Sequence, residues 1–144
     1  MLSWILLLVA GALGAVLRLL LEQRFTPRSP AGQSPWRGWP VGILLANLAG
    51  TFVLGLVLGY ARQHGISVLP QQWAASAQAF SAQAGLWIVA TGLCAALSTV
   101  STLFLGVSTL LAQQRSRGWC YLAATLSFGL LSAWLGYALG TVWG

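Results

Sequence analysis

From Gly85 to Ala112 the chain runs without a charged residue, and the middle of this run holds Gly92, Cys94 and the hydroxyls of Ser98, Thr99, Ser101 and Thr102. A hydrocarbon core about 30 Å thick is crossed by roughly 20 helical residues, so this run is longer than one ordinary crossing needs. A break near its middle is expected. Backbone groups released inside lipid must be satisfied by protein, water or an ion, so an interrupted crossing usually lines a cavity or coordinates something. The Ser/Thr cluster is therefore the expected site of function.

Composition excludes the soluble classes. Hydrophobic residues make up 58% of the sequence and charged ones 6%, outside the range of a water-soluble domain. Four apolar segments follow from the hydropathy pattern, at about 2–21, 41–60, 85–112 and 119–143. No polar stretch is long enough for a separate domain, so residues 1–144 read as a single four-span membrane unit. The first segment is read as a retained span rather than a signal peptide, because it lacks a basic leader and carries Arg18 where a cleavage region needs small residues. Trp4, Trp36, Trp39, Trp87, Trp119 and Trp143 fall near the span ends, where indoles sit at the headgroup level. The connection 22–40 is rich in Pro, Ser, Gly and Arg, and that at 61–83 holds a Gln/Ala/Ser tract able to form a short surface helix. The third connection, 113–118, is so short that the spans it joins must be antiparallel neighbours.

The sequence carries seven basic residues against one acidic. Arg24, Arg28 and Arg37 lie in the first loop and Arg115 and Arg117 in the third, against Arg62 in the second. Positive loops stay cytoplasmic, which places both termini outside. A nucleic-acid partner is a poor explanation, since these arginines are scattered over short loops without a basic domain. Cys94 in mid-span and Cys120 at a span mouth stand too far apart in depth for a disulfide within the chain, and His64 reads as a solvated loop residue.

Small residues at Gly11, Gly14, Ala46, Gly50, Gly55, Gly59, Gly129, Gly136 and Gly140 allow close helix approach, and hence a compact bundle or oligomer. Asn47, near the centre of the second span, needs a partner for its amide, either another helix or the contents of a pore. Arg18 lies four residues before Glu22, a spacing that allows an ion pair on one helix face while the guanidinium snorkels.

At this point the residues resemble a family. Gly11-Ala12-Leu13-Gly14-Ala15-Val16-Leu17-Arg18, the segment Gly42 to Gly55 with Asn47 at its centre, and Thr91-Gly92-Leu93-Cys94 leading into the Ser/Thr cluster are similar to the Fluc/CrcB-type fluoride channels. The resemblance implies an all-α membrane protein with four transmembrane helices, the third broken near its middle, in a dimer of oppositely inserted subunits. It implies two fluoride pathways and a structural sodium ion held by backbone carbonyls, which by position fall on Ala95 and Ser98. Asn47 matches the family's pore-facing asparagine, Tyr121 and Thr125 its hydroxyl track, and Ser101 and Thr102 fall in its third-span pathway segment. Arg18 keeps a topological or structural role.

The departure is at Val100 and Leu103, where family members usually carry phenylalanines whose electropositive ring edges face the anion. Phe104 is one residue along, about 100° around the helix, so it does not simply replace them. Either other groups conduct, or an oppositely oriented partner supplies the rings. The arginine bias favours one half of a heterodimer over a homodimer, because a chain that inserts both ways should carry little loop bias.

Fluoride is small and strongly hydrated, so Asn amides and Ser, Thr or Tyr hydroxyls would have to replace its lost water. Passive flow that lowers cytoplasmic fluoride at a prokaryotic plasma membrane is the expected role. A non-conducting assembly subunit is the main alternative. A four-span drug exporter would need a carboxylate within the membrane, whereas Glu22 sits at a span end. An enzyme would need a catalytic set that the spans lack.

Overall fold

The computed structural model describes residues 2–25, 39–66 and 82–142. The helices are α1 (Leu2–Phe25), α2 (Val41–Gln63), α3 (Ala82–Ile88), a π-helical stretch (Val89–Cys94), α4 (Ala95–Leu97), α5 (Val100–Gln113) and α6 (Arg115–Val142). Four stretches are long and apolar enough to cross a membrane: Trp4–Phe25, Val41–Gln63, Ala84–Gln113 and Arg115–Val142. The crossings stand where the hydropathy pattern puts them, but α1, α2 and α6 each run a few residues further into the expected loops. At a rise of about 1.5 Å per residue, the 28 residues of α6 span about 42 Å, which carries Arg115 and Arg117 beyond the hydrocarbon. The surface helix expected in the second connection, and Trp36, Trp143, Arg28 and Arg37, lie outside the described residues.

The most extensive packing joins α2 to α6, and glycine is the reason. A side chain at Gly55 would strike the carbonyl oxygen of Ala133, and one at Gly59 that of Tyr137. From the other side, Gly136 abuts the carbonyl of Phe52 and Gly140 that of Leu56. Two glycine pairs spaced four apart thus let the backbones touch, which in lipid gives dispersion contact that no hydrophobic effect supplies. Ser132 adds a bond across this seam by donating to the Leu48 carbonyl at 2.9 Å.

α1 packs on the first half of the third crossing. A Cβ at Gly14 would stand 2.6 Å from the Leu93 carbonyl oxygen, and one at Gly92 would stand 3.0 Å from the Ala10 Cβ. The π-helical stretch was not foreshadowed by the hydropathy pattern. Its wider turn lies where Gly92 faces α1, and such turns recur at functional sites.

α5 returns to α6 through a single extended residue, Gln114 (φ −158°, ψ 119°), so the two are antiparallel neighbours, as the short loop requires. Leu103, Val107, Leu110 and Tyr121 form the buried cluster between them. Much of α1 and the outer face of α6 stay exposed, Leu8, Leu13, Phe128 and Leu130 among them. Such faces suit lipid or another subunit rather than water. Both cysteines are free, Cys94 buried and Cys120 exposed. His64 ends α2 with its ring stacked 4.1 Å from that of Tyr60.

Candidate functional site

The third crossing breaks at Ser98 (φ −99°, ψ 100°) and Thr99 (φ −115°, ψ 129°), both extended between helical neighbours. Extended backbone swings carbonyls away from the helix axis. The Ser98 amide still donates to the Cys94 carbonyl at 2.9 Å, and the Leu103 amide reaches the Thr99 carbonyl at 3.4 Å. The amides of Thr99 and Thr102 do not return to the carbonyls of Ala95 and Ser98, so these two oxygens lack their helical partners. They are the two carbonyls at which the family resemblance puts a cation. The donor set fits a hard cation, which prefers oxygen ligands. Among the described residues no group of His, Cys, Asp and Glu side chains gathers for a metal.

Gly50 permits the break to sit against α2, since a Cβ there would come within 2.9 Å of the Ser98 Cβ and 3.3 Å of the Cys94 carbonyl. Thr51 and Ser98 each border a pair of cavities at this level. One, of about 360 Å³, is walled by Asn47 and Thr51 of α2, by Ser98, Thr99, Val100 and Leu103 of the third crossing, and by Thr125, Leu126, Gly129, Leu130 and Ala133 of α6. The other, of about 160 Å³, lies toward Gly50, Leu54, Ala90, Cys94 and Ala95.

Asn47 is only 7% exposed, and its carboxamide forms no hydrogen bond with any described residue. Asn47 lines the larger cavity, where an anion or water can reach its amide. The other polar walls are less free. Thr51 donates back to the carbonyls of Asn47 (2.9 Å) and Leu48 (3.1 Å), and buried Thr125 donates to the Tyr121 carbonyl at 2.8 Å.

Tyr121 is fully buried beside α5, edge-on to Trp39 with ring centroids 5.9 Å apart. Its hydroxyl donates to the Pro40 carbonyl at 3.1 Å. Of the expected hydroxyl track, Thr125 alone lines the cavity of this protomer. Ser101 is exposed and Thr102 half-buried, and neither is in the cavity wall. Thr99 takes that place, with Thr51 across from it. Both stand inside the family-like segments of the sequence, but a stretch of helix-like sequence does not say which of four neighbouring hydroxyls an extended pair will turn inward.

The positions usually held by phenylalanine diverge. Val100 is 67% exposed at the cavity rim, while Leu103 is 8% exposed and belongs to the buried cluster. Phe104 is exposed and outside the cavity wall. Arg18 does not pair with Glu22; it donates through Nη1 to the Thr99 hydroxyl at 2.5 Å. The spacing allowed the ion pair, but the break presents a closer acceptor.

A bundle of four crossings, one of them opened in mid-membrane beside a largely apolar groove whose wall carries the Asn47 amide and a few hydroxyls, is a multi-pass membrane protein. The chain matches the model of the CrcB-like family (CrcB, camphor resistance) over residues 5–137. It belongs to that family. It is 36% identical, over 99% of its length and 98% of the relative's, to the fluoride-specific ion channel FluC 1 of Symbiobacterium thermophilum. It is 34% identical to FluC 1 of Frankia casuarinae over 99% of both chains, and 32% identical to FluC 1 of Geobacillus kaustophilus over 92% of both.

Proposed function

We propose that this chain is a subunit of a fluoride-specific ion channel, passing the ion passively down its gradient and so lowering cytoplasmic fluoride. The observation that carries the reading is Asn47, a buried polar residue in the wall of a cavity at the broken crossing. Identity over nearly the full length to curated fluoride channels supports it. Fluoride entering the cavity exchanges some of its water for N–H and O–H donors in its wall, from Asn47 and from the hydroxyls of Ser98 and Thr99.

A structural sodium ion would be held by the carbonyls of Ala95 and Ser98, which have lost their helical amides. Bound there, it supplies a positive charge that lowers the cost of an anion in a low-dielectric bundle. The functional unit is an antiparallel dimer, and the strong arginine bias of the first and third loops favours a homologous partner of opposite orientation. The second reading, an assembly subunit that does not itself conduct, is favoured by aliphatic Val100 and Leu103, which offer no ring edge to an anion.

The assembled channel, purified through a tag on this chain and placed in liposomes, is expected to release fluoride and not chloride when the membrane potential is shunted. Absence of fluoride release would overturn the channel reading. If this chain only scaffolds, Asn47→Leu leaves release unchanged. Reporter fusions at the C-terminus are expected to signal from outside alone, and equal signal from both sides would refute the fixed orientation and with it the heterodimer.

A further inference from the structure

The hydroxyls around the break form a chain with a direction. The Arg18 guanidinium can only donate, and its Nη1 lies 2.5 Å from the Thr99 Oγ1. That oxygen therefore accepts. The Thr99 Oγ1 is also 2.5 Å from the Thr102 Oγ1, and the Thr102 hydroxyl is within 3.1 Å of the Thr99 carbonyl oxygen. Two proton arrangements satisfy the same heavy atoms. In the first, Thr99 donates to Thr102 and Thr102 donates to the Thr99 carbonyl, so no hydroxyl proton is left over. In the second, Thr102 turns its proton onto the Thr99 Oγ1, and the Thr99 proton is free to point elsewhere.

Thr99 is the member of this chain that lines the larger cavity. In the second arrangement its oxygen accepts from Arg18 and from Thr102, which fills both lone pairs and leaves one O–H for the cavity. Donation from a cation polarises that O–H and strengthens it as a donor. Arg18 keeps a further sign of an incomplete environment, because its Nε is buried without a hydrogen-bond partner. Among the described residues no carboxylate pairs with its guanidinium, so its charge is available to the break.

Resting on the fluoride-channel reading, we infer that Thr99 is an anion donor of the pathway, freed by rotation of the Thr102 hydroxyl and held in place by Arg18 as its positioning residue. The switch moves two hydroxyl hydrogens by torsion, breaks no covalent bond and transfers no proton between residues. An empty cavity favours the self-satisfied arrangement, and an anion beside Thr99 favours the other. The break thus offers a donor on demand without leaving a hydroxyl unsatisfied between ions.

The test uses fluoride release from liposomes holding the assembled channel. Thr99→Val keeps the β-branched shape that suits extended backbone but removes the hydroxyl. It is expected to slow release at least about tenfold, the scale of one hydrogen bond to an ion. Thr99→Ser keeps the hydroxyl and is expected to stay within about threefold of the unaltered channel, a small fraction of that hydrogen bond. Arg18→Gln is expected to slow release in the unaltered background and to change nothing further in Thr99→Val, because the two act as one unit. A merely structural arginine would add its loss in both backgrounds. If Thr99→Val does not assemble, as judged by gel filtration, Thr99→Ala carries the same expectation. Full release from the variant lacking the hydroxyl, or additive losses in the double variant, would overturn the inference while leaving the channel reading intact. An unaltered channel that releases no fluoride would instead remove the reading on which it rests.

Discussion

Asn47→Asp is expected to reduce fluoride release at neutral pH by about a thousandfold. The exchange alters almost no volume, but it replaces two N–H donors by a carboxylate in the wall of a cavity that an anion must enter. Two like unit charges about 4 Å apart repel by roughly 4 kcal/mol at an effective dielectric constant near 20, and each 1.4 kcal/mol is a factor of ten. The sign with pH follows from the charge: a protonated carboxyl there repels no anion and offers one O–H donor. Acidifying both sides therefore neutralises it, restores one donor and recovers some of the flow. Release that matches the unaltered channel at every pH would remove Asn47 from the pathway. A loss with no recovery in acid would mean that the lost N–H donors, rather than the acquired charge, decide the effect.

The crossings and the break were readable because lipid imposes them. An uncharged run longer than the hydrocarbon is thick, with a cluster of hydroxyls at its centre, favours an interruption there, and the break falls at Ser98 and Thr99, inside that cluster. Gly55, Gly59, Gly136 and Gly140 were legible as close-approach positions for a similar reason, since without a hydrophobic force between helices small residues are what bring backbones together. Which helix each would meet was not legible, for spacing alone carries no information about partners. The side-chain assignments were harder still. Arg18 has both Glu22 and Thr99 within possible reach, and the choice depends on the π-helical stretch and the break, whose dihedral angles no periodicity encodes. Tyr121 and Thr125 sit one turn apart on one face, but the hydroxyl of the longer side chain reaches beyond the cavity to the Pro40 carbonyl. Length and direction of the side chain, not helical register, separate them.

Gly55→Ala is expected to destabilise the protein by about 1–3 kcal/mol, the usual range for overpacking a close contact. Its new methyl would strike the Ala133 carbonyl oxygen and come within 3.0 Å of the Ala133 carbonyl carbon. Backbone atoms cannot swing aside as a side-chain tip can, so α2 and α6 must separate along their whole seam. Gly129→Ala is the matched comparison, since its Cβ would meet nothing within 4 Å. Its expected effect on stability is within about 0.5 kcal/mol. Thermal unfolding in detergent, followed by gel filtration, should then lower the transition for the first variant and leave the second near the unaltered protein. Flow should follow a different order. Gly129 lines the larger cavity, so a methyl there takes space from the ion while the bundle stays intact. Gly55→Ala acts through the seam that holds Asn47 opposite Thr125, and should weaken stability and flow together. Equal unfolding transitions for the two variants would mean that the glycine contact does not hold the cavity walls in place, and that the third crossing alone sets their spacing.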